Sequence, residues 1–388
     1  MNVTYVAPNG TWHYRYAAAM ARAGKLQRFI CGHPRFSPRA PQPELGNRLL
    51  RADYLQTLYL ASQKMRMPAS LTEELSFLSK IMLDRCAERD ARRSDVFVFY
   101  SGAGLSTLQK LKSTPVRGVL EAVNSHVLVQ KEILHEEHQR LRLTLRGFHV
   151  KEVERRTQEY EQVDGIICPS AFARKSYVDQ GMHPDRVRVV PFGIHGATYP
   201  DPVDQSRDLE TFRVLFVGQI NIRKGLRYLF QAFDKFKHPK KELWIVGPKA
   251  EPTGVEDLSP PEQTKFLGVL KGDELARAYR SCHVFVLPTI EEGLALVLGE
   301  ALSHGLPVIT TVNSGGAEII TEGSNGFLVP IRSPDAISEK MQLLADNPDL
   351  YAQMVNDALT RDRGIRSWEN SGHMFIKALE DFTRMPKL

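Results

Sequence analysis

The sequence predicts an α/β protein with two doubly wound parallel sheets, and three observations lead to that reading. After residue 211, short and nearly continuous apolar runs alternate with helix-period patterns, as in a parallel sheet covered on both faces. The same strand-like opening occurs twice, as NVTYVA (Asn2–Ala7) and as FRVLFV (Phe212–Val217). Between the halves, residues 200–210 are polar and carry prolines, the composition of a linker. At 388 residues the chain is long enough for two cores. The expected architecture is two Rossmann-like domains facing a central cleft, residues 1–200 and 201–367, with a helix at 368–388 packed back on the first and the boundary near 198–211.

In the first half, strands are expected at Asn2–Ala7, Gln27–Cys31, Asp95–Tyr100, Val116–Glu121, Gly165–Cys168 and Val187–Val190, with long helices over Leu49–Met65 and Thr72–Arg92. In the second, Phe212–Val217 leads into a helix over Gly225–Lys237 whose Leu226, Leu229, Phe230 and Phe233 share one face. Strand Glu242–Val246, strand Thr264–Leu267, helix Asp273–Ser281 and strand His283–Leu287 come next. Helix Gly299–His304 and strands Pro307–Thr310 and Gly326–Val329 complete the sheet, and Trp368–Arg384 reads as a final helix.

The composition, 42% hydrophobic and 25% charged, excludes collagen-like, disordered and disulfide-scaffold chains. No apolar run approaches the roughly 18 residues of a membrane-spanning helix. MNVTYVAPNG lacks the basic and apolar regions of an export signal, so a cytoplasmic location, extending to the inner face of the membrane, is expected. Cys31, Cys86, Cys168 and Cys282 are scattered as reduced buried thiols are, and no metal site is expected.

The net charge of +6 is uneven: residues 1–200 carry 29 Lys+Arg against 19 Asp+Glu, and residues 201–388 carry 22 against 26. A basic half can meet nucleic acid, an anionic membrane or a phosphorylated ligand. Arg35, Arg39, Arg48, Arg66, Arg85 and Arg93 are interleaved with apolar residues, not gathered in a nucleic-acid-binding module, so no nucleic-acid partner is expected. Leu49, Leu50, Tyr54, Leu58 and Tyr59 beside Arg48, Arg51 and Lys64 read equally as core or as a surface for anionic lipid. Peripheral membrane contact is the expectation on the second of these.

Two motifs carry chemistry. Gly218-Gln-Ile-Asn-Ile-Arg223-Lys224-Gly225 joins a strand to a helix and places adjacent cations at the helix start, where they oppose the helix dipole and a bound polyphosphate explains them. Glu291-Glu292-Gly293 follows the next central strand, with helix onset expected near Gly293 and Glu300 eight positions after Glu292. On a continuous helix those two carboxylates fall within about 80° of each other and face one ligand. Amides at such an onset suit a phosphate or sugar hydroxyls.

These motifs, with LWIVG (Leu243–Gly247), FLGVL (Phe266–Leu270), SGGAEII (Ser314–Ile320) and NGFLVP (Asn325–Pro330), resemble the retaining glycosyltransferases of family 4, which have the two-domain GT-B architecture. The resemblance covers about 150 residues of the second half; in the first half it covers Cys168–His195 and, more weakly, Asn124-Ser125-His126. It implies a nucleotide-diphosphate sugar as donor substrate, with no further cofactor, and a glycan or lipid-linked glycan of cell-surface polysaccharide synthesis as acceptor. Lys224, helped by Arg223, is then the holder of the diphosphate. Glu300 binds the ribose, and Glu292 with the amides of Gly293, Leu294 and Ala295 orients the sugar. His126 faces the transferring carbon across the cleft, Gly218 and Gln219 line the phosphates, and Phe266, Leu267 and Val269 line the base. Transfer is expected to be metal-independent, since no Asp-x-Asp pair lies near these motifs.

The sequence departs from that pattern in places. Gln219 stands where relatives carry Arg, so Arg223 is expected to supply that charge; Leu294 and Ala295 replace an aromatic residue and a glycine; and the N-terminal glycine-rich loop is reduced to Pro8-Asn9-Gly10. Two other enzyme readings remain: a GT-B nucleotide-sugar epimerase, disfavoured by the Lys224, Glu292 and Glu300 frame, and a nicotinamide-dependent enzyme. The latter rests on Gly102-Ala-Gly104 after a strand with Glu121 further on, but Thr107 occupies the place of the third glycine.

Overall fold

The computed structural model describes residues 1–37, 43–65, 67–145, 147–194, 210–250, 252–360 and 367–387. The boundary expected near 198–211 lies outside the described residues up to 209. The first sheet contains β1 (Val3–Ala7), β2 (Leu26–Cys31), β3 (Leu49–Arg51), β4 (Val96–Tyr100), β5 (Arg117–Glu121), β6 (Gly165–Cys168) and β7 (Val187–Val189). The second contains β8 (Phe212–Val217), β9 (Lys241–Val246), β10 (Thr264–Gly268), β11 (Val284–Leu287), β12 (Val308–Thr311) and β13 (Gly326–Val329). Their orders are β3-β2-β1-β4-β5-β6-β7 and β10-β9-β8-β11-β12-β13, with every pairing parallel. Each order reverses beside its first strand, so each sheet has its ligand crevice at the carboxyl ends of β1 and β4 or of β8 and β11.

Helices of the first unit are α1 (Thr11–Arg22), α2 (Tyr54–Lys64), α3 (Ala69–Ala91), α4 (Leu105–Leu111), α5 (Val127–Arg140), α6 (Val150–Gln162) and α7 (Ala171–Asp179). Those that follow are α8 (Leu226–Lys235), α9 (Gly272–Ser281), α10 (Leu296–Ser303), α11 (Pro334–Asp346), α12 (Pro348–Thr360) and α13 (Trp368–Arg384). The central strands are buried on both faces: all five residues of β1 and five of the six in β8 are buried, which is why they read as continuous apolar runs. In α8 the predicted face, Leu226, Leu229, Phe230 and Phe233, is fully buried.

α13 follows the second sheet in sequence but packs on the first. The Ser367 side chain caps it, accepting from Asn370 N (3.1 Å). Phe375 stacks on Tyr16 of α1 (ring centroids 4.3 Å apart), Lys25 pairs with Glu380 (2.6 Å), and Phe382 lies over Gly165 of β6, where a Cβ would come within 2.4 Å of its ring.

Three expectations need correction. The helix predicted over Leu49–Met65 is two elements, because Leu49–Arg51 pairs with β2 before α2 begins at Tyr54. The helix placed near Gly293 begins at Leu296: Glu292 N donates to Asn313 O (2.9 Å) and Ala295 N to Ser314 O (3.2 Å), and this pairing holds the segment extended. Cys86 is exposed on α3, while Cys31, Cys168 and Cys282 are buried thiols.

Candidate active site

The loop after β8 is pinned at both ends. Asn221 accepts the Lys224 amide (3.1 Å) and donates its side-chain amide to Gln219 Oε1 (3.0 Å). Gly225 closes the turn at φ +69°, with Pro288 O where a Cβ would stand (2.0 Å), so only glycine allows β8 and β11 to approach this closely. The loop is also tied to the next one: Ile290 N and Thr289 Oγ1 both donate to Arg223 O (2.8 and 2.9 Å). Lys224 and Arg223 are thereby fixed at the carboxyl ends of β8 and β11.

Both cations face Glu292. Lys224 Nζ pairs with Glu292 Oε2, and an Arg223 guanidinium nitrogen lies 3.1 Å from Oε1. Burial alone would push this carboxyl up, but Arg223 and Lys224 hold it down at about 2, so it is ionised at any physiological pH. Arg223, expected to supply the charge that Gln219 lacks, is shared between Glu292 and Glu291, whose Oε2 is 3.7 Å away.

Glu291 is the residue that the sequence reading named and left without a role. It is fully buried, and its carboxylate belongs to both units: Oε1 accepts from Ser125 N (3.2 Å) and Ser125 Oγ (2.7 Å), and Oε2 accepts from Gln130 Nε2 (2.8 Å). Gly293 makes the same contact through backbone, since a Cβ there would lie 1.9 Å from Val123 O. Around it, α5 meets the second unit again. Tyr228 OH donates to Glu137 Oε1 (2.7 Å), and Arg332 bonds Glu137 Oε2 (2.6 Å) and Glu136 (2.9 Å). Adjacency to Glu292 was the signal available in the sequence for Glu291; nothing local marked Arg332.

Glu300 does not share the Glu292 cluster. The expected common face required one helix through both residues, and α10 starts four positions after Glu292. Glu300 instead accepts from Tyr279 OH (3.1 Å) and lines a cavity of about 740 Å³ with Leu296, Ile194, Trp368 and, from the first unit, Gly10, Trp12, Tyr14 and Arg15. That volume suits a nucleotide-sized ligand. Of the amides expected to face the donor, that of Ala295 is engaged by Ser314 O, and the Leu294 side chain is buried. At the edge strand β10, Phe266 and, just beyond it, Val269 are exposed (43% and 55%), Leu267 is half-buried, and Lys249 sits 5.2 Å over the Phe266 ring. Gly218 leaves space beside Lys224, and the Gln219 side chain is exposed.

His126 neighbours Ser125 at the cleft, yet its ring is only 5% exposed, packed between Tyr160 (4.6 Å) and Tyr177 (5.4 Å). Nδ1 accepts the Leu128 amide (3.3 Å) as the α5 N-cap, which leaves the proton on Nε2. Burial, with Arg156 nearby, lowers its pKa to about 4. The ring can therefore act only as a neutral donor and not as an acid. Because the folded ring resists protonation, its contribution to stability is complete above the usual pKa of about 6.5 and falls as pH drops toward 4. An NMR titration is expected to show its ring signals moving near pH 4; movement near 6.5 would refute the assignment.

Two further arrangements bear on the first unit. Tyr5 OH donates to Glu121 Oε2 (2.5 Å), and His13 Nδ1 lies 2.9 Å from the same oxygen, a buried cluster at the crevice of the first sheet. The nicotinamide reading fails on geometry. Gly102, Gly104 and Leu105 amides donate to Glu159 (2.5, 2.9 and 3.0 Å), and Ser106 and Thr107 amides donate to Asp84 (2.7 and 2.9 Å). Two carboxylates thus occupy the α4 N-terminus that a pyrophosphate would need.

Known proteins share this fold. Residues 201–361 match the family model of the glycosyl transferases group 1. An uncharacterized glycosyltransferase of Methanocaldococcus jannaschii is 32% identical over 163 residues, 40% of this chain and 42% of that protein. Matched stretches span between 26% and 63% of the length of such curated relatives. The fold is similar over 98% of both chains to sucrose-phosphate synthase from Thermosynechococcus elongatus (TM-score 0.72, 17% identity). It is also similar to Anabaena HepE, solved in complex with UDP-glucose, over 98% of this chain and 99% of the other (TM-score 0.65, 15% identity). The fold defines a protein of GT-B architecture. Its residues 201–361 carry the match to the glycosyl transferases group 1.

Proposed function

We propose that the protein is a retaining, metal-independent glycosyltransferase that moves a sugar from a nucleotide-diphosphate donor to a glycan or lipid-linked glycan in cell-surface polysaccharide synthesis. The observation that carries this reading is the Arg223–Lys224–Glu292 cluster at the crevice of the second sheet, inside the segment that matches the group 1 glycosyl transferases. In the transfer, the bond from the anomeric carbon to the diphosphate breaks, the acceptor oxygen takes that carbon, and the acceptor proton leaves with the nucleoside diphosphate. Lys224 neutralises charge on the departing diphosphate. Glu292, kept ionised by its two cations, accepts from donor-sugar hydroxyls. Glu300 receives the ribose in the cavity, Phe266, Leu267 and Val269 meet the base, and His126 Nε2 donates from the first unit. Metal independence is supported by the two fixed side-chain cations, and undiminished transfer in the presence of a chelator tests it.

The solved complex of HepE with UDP-glucose supports a nucleotide sugar as donor. A thermal-shift screen across UDP-, GDP- and ADP-sugars is expected to single out one nucleotide, because a donor at roughly 100-fold over its Kd adds about 2.7 kcal/mol of stability. If none raises the Tm, the reading fails. An epimerised free sugar nucleotide as product, in place of a glycoside, would favour the epimerase.

A further inference from the structure

Two consecutive arginines of α6 are used differently by the fold. Arg155 is engaged by backbone and by acids: its Nε donates to Gly102 O (2.8 Å), its Nη2 pairs with Asp84, and Glu159 lies 3.8 Å from Nε. Arg156 meets only neutral groups. Its Nε donates to Ser101 Oγ (3.0 Å) and Tyr160 OH (3.2 Å), and its two terminal nitrogens make no hydrogen bond or ion pair with the described residues. Four N–H donors of one guanidinium are thus unfilled. The two hydroxyls also bond each other (3.1 Å), so they do not need Arg156 to be satisfied. Packing alone does not explain a half-buried guanidinium held this way.

Arg156 stands at the carboxyl ends of the first sheet, next to His126. Ser101 directly follows β4, and its amide donates to Glu121 O at the end of β5 (3.2 Å). The His126 ring packs on the same Tyr160 ring (4.6 Å) whose hydroxyl accepts from Arg156. A second cation lies alongside. At Gly102 a Cβ would come 3.2 Å from Lys80 Cδ and 3.7 Å from Arg156 Cγ, so both stems lie against one glycine. Like charges side by side repel, and only Lys80 has an acid as partner, Glu152. The other carboxylates nearby are turned toward α4: Asp84 holds the Ser106 and Thr107 amides, and Glu159 those of Gly102, Gly104 and Leu105. Burial pushes Glu159 up to about 7, so it opposes Arg156 only in part. What stays open is a fork of directed donors, the geometry that matches two oxygens of a phosphate or carboxylate. We propose that Arg156, with Lys80 beside it, is the anion-binding residue of the acceptor subsite, and that the acceptor carries a phosphate or carboxylate group close to the hydroxyl that receives the sugar. This rests on the glycosyltransferase reading and narrows its acceptor from glycans in general to acidic or phosphorylated ones.

The test is an NMR titration of the isotope-labelled full chain, read at the Arg156 Nε–H and at the Ser101 amide. Inorganic phosphate and acetate are the probes, and sodium chloride at matched ionic strength is the control. Both signals are expected to move saturably with phosphate or with acetate and to stay in place with chloride; the anion that acts at lower concentration says which group the acceptor bears. These signals belong to this site, so phosphate held at Lys224 does not imitate the result. In Arg156→Gln the Ser101 response should weaken roughly tenfold or more, and Arg156→Lys, which keeps the charge without the fork, should fall between. Ser101 and Tyr160 keep their mutual bond in both variants, so the Tm should stay near that of wild type. The Tm rise given by a nucleotide sugar should also be unchanged in both. If no nucleotide sugar binds wild type, the transferase reading fails while the anion titration still decides the site. The proposal is overturned if neither anion moves the wild-type signals beyond chloride or if either variant responds as wild type does. It is equally overturned if the variants lose the nucleotide-sugar Tm rise, which would make Arg156 a donor ligand.

Discussion

Replacing Lys224 with methionine is expected to lower kcat by 10²- to 10³-fold, roughly 3–4 kcal/mol of transition-state stabilisation, while the protein stays folded. Its Nζ has Glu292 as partner, and Glu292 keeps Arg223 at 3.1 Å when Lys224 is gone, so no buried carboxylate is left alone. The stem is the part that packs, and methionine preserves it. Lys224→Arg is not expected to rescue the rate, because a planar fork at this pinned turn cannot place a point charge where the ammonium stands. An acid signature accompanies the kinetic one. Glu292 is held at about 2, so its contribution to stability is present above the ordinary carboxyl pKa and is lost as pH falls toward 2. Without Lys224 that carboxyl moves up and the loss begins at higher pH. Steady-state kinetics and urea unfolding at neutral and acidic pH read both. Full turnover in the variant would remove the diphosphate role.

Periodicity was a good guide to the second sheet because a parallel strand buried on both faces has nowhere to put a polar residue, so FRVLFV and VFVL announce themselves. It also found the two cations, since adjacent Arg and Lys at a helix start oppose the dipole and need an external reason. It failed where tertiary contacts override local pattern. A helix-period argument placed Glu292 and Glu300 on one face, but the 312–314 segment claims the Glu292 and Ala295 amides and delays the helix. Helix α2 resisted for a different reason. An amphipathic stripe looks the same in sequence whichever face is turned to the core, and only the burial of Gln56 and Ser62 tells which way α2 is turned. The carboxylates that fill the Gly102–Thr107 amides, Asp84 and Glu159, lie too far away in sequence for any local motif to reveal them.

Glu291→Ala is expected to destabilise the protein by about 3–5 kcal/mol and to separate the two units, the larger of the structural effects predicted for any single substitution at this site. The carboxylate collects Ser125 N, Ser125 Oγ and Gln130 Nε2 from the first unit and faces Arg223 from the second, so its removal orphans donors on both sides at once. Glu291→Gln should do intermediate damage, because one amide oxygen can still accept from Ser125 while its NH₂ opposes the Gln130 donor. The Glu137 contacts to Tyr228 and Arg332 remain in both variants, so the units should hinge apart and not dissociate. Small-angle scattering is expected to show a larger radius of gyration for the alanine variant. Donor binding, whose proposed charged ligands Lys224, Glu292 and Glu300 all lie in the second unit, should persist in the same protein while transfer, which needs both units, falls. Those two readouts separate a joint between units from a donor ligand: if donor affinity collapses and the radius of gyration is unchanged, Glu291 is a donor-binding residue and the joint lies elsewhere along α5.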